Sequence, residues 1–206
     1  LVLMLQDPRD EQPLVHSRAS VASTSRPLLA LLRAGYRVIR VELAPATRRA
    51  QNATSARLAR DLVDDLLAGL DQYLTSAGYG RGNRHAAPRV AVMGAGLGGT
   101  LALHAVAWGG GHFQAAVVQG APLSERWADM ERGETTPRDG SGATGRPLDA
   151  AAAEAASYDA ASELELIRRL AASHVPTLLL YGDQDAQCPL SQAYATYHAL
   201  CGSPEA

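Results

Sequence analysis

The stretch that decides the fold is Arg89–His104, with the sequence RVAVMGAGLGGTLALH. Apolar residues typical of a buried strand lead into a cluster of glycines, and a helical pattern of small and apolar residues follows at once. The stretch therefore predicts a strand, a sharp turn and a helix. Because the turn has almost no side chains, a ligand or a second backbone can come close to it.

Two turn motifs compete for this stretch. The fingerprint G-x-G-x-x-G seats a pyrophosphate on a helix N-terminus, and Gly94, Gly96 and Gly99 complete it. The motif G-x-S-x-G exposes a nucleophilic serine on a strained corner; Gly94 and Gly98 fit it, but Gly96 stands where serine is required. A dinucleotide site also needs an acid at the end of the next strand, and that strand ends at Gln119. Each motif therefore lacks one essential residue.

Length and composition limit the classes of function. A chain of 206 residues can bury a sizeable core, so we expect residues 1–206 to be one domain. It starts inside an apolar run without Met, which predicts a piece of a longer protein. The net charge of −2 predicts neither a nucleic acid nor an anionic membrane as partner, and no apolar run reaches the ~20 residues of a membrane span.

The two cysteines predict a reducing compartment. Cys188 and Cys201 lie at opposite ends of a predicted helix, which separates them by more than a disulfide can bridge. Free thiols favour a cytoplasmic location.

The order of predicted elements indicates the fold class. Strands are predicted at 1–5, 36–43, from Arg89 to the glycine turn, at 115–119 and, as a buried strand, at 175–181. Helices are predicted at 25–35, 55–76, from the glycine turn to about Trp108, at 160–172 and at about 190–200. An irregular excursion interrupts the order at about 121–157. This alternation predicts an α/β protein, a mostly parallel sheet with helices on both faces in three layers, with ligand chemistry at the carboxyl ends of the strands.

A second polar feature follows the last predicted strand. The loop Gly182–Pro189 carries Asp185, where a catalytic triad running in the order nucleophile, acid, histidine would place its acid. With this loop added, the chain resembles the prolyl-oligopeptidase family of serine peptidases. Five segments carry the resemblance in the family's order and spacing: 32–38, 89–99, 115–127, 157–164 and 177–193. They cover much of the family's C-terminal hydrolase domain.

The resemblance implies an α/β-hydrolase fold, truncated at the C-terminus, and a set of site residues. By this resemblance, Gly96 takes the place of the nucleophilic serine and Asp185 takes the position of the triad acid. Leu97 would supply a backbone N–H to the oxyanion hole. Gly94 and Gly98 would be the two glycines of the elbow motif. The family's histidine would lie past the last helix, outside this chain. Peptides or small esters would be the substrates, and an N-terminal β-propeller could belong to the same chain. No cofactor or metal is expected.

Three functions remain open at this point. The first is a serine hydrolase domain that is impaired or inactive, a pseudoenzyme, because Gly96 has no side chain. The second is a non-catalytic interaction or scaffolding module, and the third is a dinucleotide-binding domain using Gly94, Gly96 and Gly99. If the corner is a hydrolase corner, Gly96 should have a positive φ and face the loop that carries Asp185. We expect His104 and Cys188 to be packed residues rather than catalytic ones.

Overall fold

A computed structural model describes residues 1–6, 27–42, 55–79, 88–109, 111–123, 163–185 and 188–202. The strands are β1 (Val2–Gln6), β2 (Val38–Glu42), β3 (Ala91–Ala95), β4 (Ala115–Gln119) and β5 (Thr177–Leu180). The helices are α1 (27–33), α2 (Ser55–Ser76), α3 (Leu97–Trp108), α4 (163–173) and α5 (Leu190–Cys201). The predicted alternation of strands and helices is confirmed. Most of the predicted 121–157 excursion lies outside the described residues.

The strands form one sheet in the order β2-β1-β3-β4-β5, and every pairing is parallel. The α/β-hydrolase fold class is thereby supported at the level of the sheet. The chain moves from β1 to β2 on one side and then to β3 on the other, so the strand order reverses between β1 and β3. In open parallel sheets, ligands bind outside the carboxyl ends of the strands at such a reversal. The glycine corner follows β3 at this place.

The core lies around β1 and α3. All five residues of β1 are buried, so both faces of the sheet are covered at its centre. Helix α2 is amphipathic and buries Val63, Leu66 and Leu70. Helix α3 is buried along most of its length because it lies between α2 and the strands β1, β3 and β4. No helix among the described residues combines the length and the apolar character needed to cross a bilayer.

The prediction of a buried strand at 175–181 is wrong in one respect. In the described sheet β5 pairs only with β4, and Leu178 and Leu180 are 55% and 43% exposed. An apolar run looks the same in a central strand and in an edge strand, so the sequence does not distinguish them. The opposite edge is different, because β2 carries an ion pair between Arg40 and Glu42 at 3.2 Å. Charges of this kind discourage an edge from pairing with another chain.

Three glycines let the start of α3 touch the backbone of the sheet. A Cβ atom added at Gly98 would overlap the carbonyl oxygen of Leu5 in β1. One added at Gly94, in β3, would overlap the carbonyl of Gly98, and one added at Gly99 would lie 2.7 Å from the Cβ of Ala121. The first turn of α3 therefore sits closer to the strands than any side chain would permit.

This packing predicts that Gly98→Ala is strongly destabilising. The added methyl would meet backbone atoms, which cannot rotate away, and we expect a loss on the order of 3 kcal/mol of unfolding free energy. Gly69→Ala is the matched control. Gly69 lies in α2 with no atom within 4 Å of an added Cβ, so this change should stabilise by about 0.5–1 kcal/mol. Urea unfolding measures both, and equal stabilities for the two variants would contradict the packing described.

Candidate active site

The corner between β3 and α3 has the geometry expected for a nucleophile elbow. Gly96 has φ 51° and ψ −123°, a conformation that residues with a Cβ rarely adopt. Two backbone hydrogen bonds hold it. Its N–H donates to the carbonyl of Gln119 at 3.0 Å, and its own carbonyl accepts from the N–H of Thr100 at 3.0 Å. The predicted positive φ of Gly96 is confirmed.

Gly96 differs from its neighbouring glycines in one respect. A Cβ added at Gly96 would have no atom of the described residues within 4 Å, whereas Gly94 and Gly98 have no room for one. Within the described part of the chain, a side chain at position 96 would therefore project into open space. The corner keeps the shape that displays a side chain, and in this chain it has no side chain to display.

The loop after β5 brings Asp185 towards the same edge of the sheet. One carboxylate oxygen of Asp185 accepts a hydrogen bond from the N–H of Cys188 at 3.0 Å, just before α5 begins. The other lies beside Gly120, 3.3 Å from where a Cβ of that residue would be. The carboxylate of Asp185 thus lies between the start of α5 and the end of β4.

An open cleft of about 470 Å³ lies between the glycine corner and this loop. Its lining residues are Ala95, Gly96, Gln119, Gly120, Leu180, Tyr181, Gly182 and Asp185. The two predicted positions, Gly96 and Asp185, therefore share one cleft at the carboxyl ends of β3, β4 and β5. Leu97 is the first residue of α3, and the N–H of a first helical residue has no partner within its own helix.

A short segment after β4 joins the two sides of the cleft. Its residues are Gly120, Ala121, Pro122 and Leu123, and we call it the bridge segment. On the side of the corner, the hydroxyl of Thr100 lies 3.2 Å from the carbonyl oxygen of Pro122. On the side of β5, the hydroxyl of Tyr181 donates to the carbonyl of Ala121 at 2.6 Å. The bridge segment is therefore tied to both α3 and β5.

Tyr181 is part-buried beneath the cleft. Burial raises the pKa of its hydroxyl, and hydrogen bonds with Thr196 of α5 and with Ala121 act in the opposite direction. The phenol therefore stays protonated at neutral pH and is available as a hydrogen-bond donor.

Six of the cleft residues were not identified as site residues in the sequence. They are Ala95, Gln119, Gly120, Leu180, Tyr181 and Gly182. They have no motif of their own, but each lies at or just after the carboxyl end of a parallel strand. Their position in the chain, at the ends of predicted parallel strands, could have identified them, since parallel α/β sheets bind ligands at the carboxyl ends of their strands. Residues 7–9, which follow β1 in the chain, lie outside the described residues.

His104 and Cys188 are packed residues, as expected. Cys188 is buried and forms no disulfide with the exposed Cys201. His104 is 8% exposed on α3, and its ring stacks on Trp108 with centroids 5.1 Å apart. Its Nδ1 has no hydrogen-bond partner among the described residues. Neither His104 nor any other described histidine lines the cleft. Burial lowers the pKa of His104 to about 4.

The low pKa predicts an acid-sensitive contribution to stability. Above pH 6.5 His104 is neutral in both the folded and the unfolded chain. Between pH 6.5 and 4 the unfolded chain binds the proton first, so the fold loses roughly 3 kcal/mol as the pH falls through this window. Urea unfolding of His104→Leu at several pH values should lack this loss, whereas the control His198→Gln, at an exposed histidine, should retain it. Parallel stability curves for wild type and His104→Leu would contradict the assignment.

Comparisons with known proteins agree on the fold. The chain is similar to an esterase from Pyrococcus furiosus, with a TM-score of 0.54 at 14% identity over 97% of this chain and 68% of that one. It is similar to a carboxylesterase from Nitrososphaera gargenis, with a TM-score of 0.52 at 16% identity over 97% and 78% of the two chains. An acylaminoacyl peptidase from Pyrococcus horikoshii gives a TM-score of 0.51 at 20% identity over 72% of this chain and 22% of that one.

The chain spans only about a fifth of the length of the acylaminoacyl peptidases that it matches. No curated protein matches it. A profile of the prolyl oligopeptidase family matches residues 31–203, which include β2 to β5, the glycine corner and the loop of Asp185. By this match, and in agreement with its parallel sheet, the chain belongs to the prolyl oligopeptidase family.

Proposed function

We propose that this chain is a prolyl-oligopeptidase-like hydrolase domain that has lost serine catalysis and keeps the cleft of its ancestors. The observation that carries the proposal is the glycine at the corner. Gly96 holds the backbone conformation of a displayed nucleophile and faces a cleft shared with Asp185, but it has no side chain to attack a carbonyl.

The other lining residues do not replace the missing group. None of the described residues that line the cleft is a serine, threonine, cysteine or histidine. The hydroxyl of Tyr181 is committed to the carbonyl of Ala121, and burial raises its pKa, so it is a poor nucleophile. Asp185 occupies the position of a triad acid without a described histidine beside the cleft for it to orient.

The energetics explain why glycine would persist once catalysis is no longer selected. A residue with a Cβ at a strained corner costs about 1–3 kcal/mol, and glycine avoids that cost. Removal of the nucleophile from a serine protease costs about six orders of magnitude in turnover. The exchange of serine for glycine therefore relieves strain while it abolishes nearly all acyl transfer.

The size and place of the cleft support a ligand of the class that the family cleaves, a peptide or a small ester. A non-catalytic domain of this kind would bind such a ligand without acylation. A β-propeller in the same full-length protein would be the natural neighbour, as part of the same proposal.

The test is active-site labelling with a fluorophosphonate probe, together with ester hydrolysis. The wild-type chain should incorporate no probe, because Gly96 has no side chain that could react with it. In this chain by itself, Gly96→Ser should not restore rapid hydrolysis, because no histidine among the described residues lines the cleft beside position 96. Gly96→Ala is the matched control, since it imposes the same Cβ strain without a hydroxyl; both variants should lose about 1–3 kcal/mol of unfolding free energy.

Probe incorporation by the wild-type chain would overturn the proposal, because it would reveal a working nucleophile. Brisk ester hydrolysis by Gly96→Ser would contradict the result expected for that variant and would confine the loss of catalysis to position 96.

A second candidate function, an interaction module, is favoured by the outer face of α5. Leu190, Tyr194 and Tyr197 are 38%, 60% and 55% exposed there, and Cys201 continues the same stripe. Residues 188–202 contain no Asp, Glu, Lys or Arg. At a two-fold axis each charged group meets its own copy, so an uncharged stripe suits association with a second copy of this chain. Its small area corresponds to a weak, transient dimer.

Sedimentation equilibrium over a series of concentrations tests the second candidate. The wild-type chain should show a concentration-dependent dimer, and Tyr194→Arg should be monomeric because two arginines would repel across the axis. Arg60→Glu, a charge change on the exposed surface of α2, is the control and should leave the dimer unchanged. A wild-type chain that stays monomeric at every concentration removes this candidate.

No described feature favours the third candidate, dinucleotide binding. The strand after the corner, β4, ends at Gln119 and is followed by Gly120. The acidic residue that does lie near the corner, Asp185, comes from the loop after β5.

A further inference from the structure

The two sides of the cleft are connected through one narrow part of the chain. Gly96 belongs to the corner before α3, and Asp185 belongs to the loop between β5 and α5. Between them lies the end of β4 with the bridge segment, Gly120–Leu123. Gly96 itself bonds to this part of the chain, because its N–H donates to the carbonyl of Gln119.

Successive residues of the bridge segment contact different sides of the cleft. Gly120 donates its N–H to the carbonyl of Leu180 at 2.9 Å and lies beside the carboxylate of Asp185. Ala121 is buried, with its carbonyl on the hydroxyl of Tyr181 and its methyl against Gly99. Pro122 offers its carbonyl to the hydroxyl of Thr100. The bridge segment is thus held from β5, from the acid loop and from α3 at once.

Tyr181 makes the one side-chain hydrogen bond that joins the end of β5 to the bridge segment among the described residues. Its hydroxyl reaches 60 residues back along the chain and donates to the carbonyl of Ala121 at 2.6 Å. Tyr181 also lies four residues before Asp185, on the same loop. The side chain of Tyr181 therefore fastens the segment that carries Asp185 to the bridge segment.

We propose that Tyr181 is the positioning residue of the cleft: its hydroxyl locks the bridge segment and thereby sets the place of Asp185 relative to residue 96. This inference rests on the proposed function in one respect, that the cleft between Gly96 and Asp185 is the functional site. Tyr181 acts through Ala121 and touches no reacting atom.

The test uses a thiol placed at the corner, because it needs no turnover. Gly96→Cys projects its thiol into the open space at position 96, and Cys201→Ser in the same chain removes the exposed native thiol; Cys188 is 1% exposed. The rate of alkylation by iodoacetamide as a function of pH gives the pKa of the new thiol. Asp185→Asn should lower that pKa, because it removes a negative charge that disfavours the thiolate.

The expected result is a coupling between Tyr181 and Asp185. In the Tyr181→Phe background, the effect of Asp185→Asn on the thiol pKa should shrink to about half or less, since the loop no longer holds the carboxylate in place. Tyr79→Phe is the matched control. It removes another tyrosine hydroxyl bond, the one with Arg37, and should leave the effect of Asp185→Asn unchanged. A purely structural role would lower stability in both tyrosine variants without altering the coupling.

A second measurement covers the case in which Gly96→Cys does not fold. In the otherwise wild-type chain, Tyr181→Phe should shift the backbone amide NMR signals of Gly96 and Asp185 as well as that of Ala121. The inference is overturned if the coupling is the same with Tyr and with Phe at position 181, or if the NMR shifts stay confined to Ala121 and α5. Fluorophosphonate labelling of the wild-type chain would overturn the proposed function and leave this coupling measurable.

Discussion

The structure depends on one close approach, that of the first turn of α3 to the backbone of β1 and β3. Glycines at 94 and 98 permit it, because any Cβ there would overlap a backbone carbonyl. The approach seats α3 in the centre of the fold, against three strands and α2. It also fixes the direction in which the chain leaves β3, and so the place of Gly96. The position of the cleft follows from this contact.

The backbone geometry of the candidate site does not depend on a catalytic side chain. Its backbone is ordered by bonds that do not involve a catalytic side chain: Gly96 is held by Gln119 and Thr100, and Asp185 by Cys188. A corner held in this way keeps its geometry without a side chain at position 96, since the surrounding packing over-determines it. Glycine at position 96 lowers the strain further. Under the proposed function, the chain would keep the cleft of a hydrolase without the group that performs hydrolysis.

Two polar features extend the consequences of this arrangement beyond the cleft. Helix α3 carries the corner at its start and the buried His104 two turns further on, so both belong to the same buried helix. At the other side, β5 and α5 present apolar side chains outward while β2 presents an ion pair. The two edge strands of the described sheet therefore differ in chemistry: β2 carries an ion pair, and the residues of β5 itself are uncharged.

The sequence by itself determined the element order, the parallel sheet, the corner and the loop of Asp185, because each has a local signature: periodicity, glycine content or position after a strand. It also determined the sign of φ at Gly96, through the motif that the corner resembles. Only the tertiary structure decided that β5 is an edge, that Gly98 meets Leu5, and that Tyr181 reaches Ala121. These contacts join residues far apart in the chain, and no local pattern encodes a distance across the sheet. An apolar run predicts that a strand is at least partly buried. Whether that strand lies in the centre or at the edge of the described sheet depends on the order in which the strands pair.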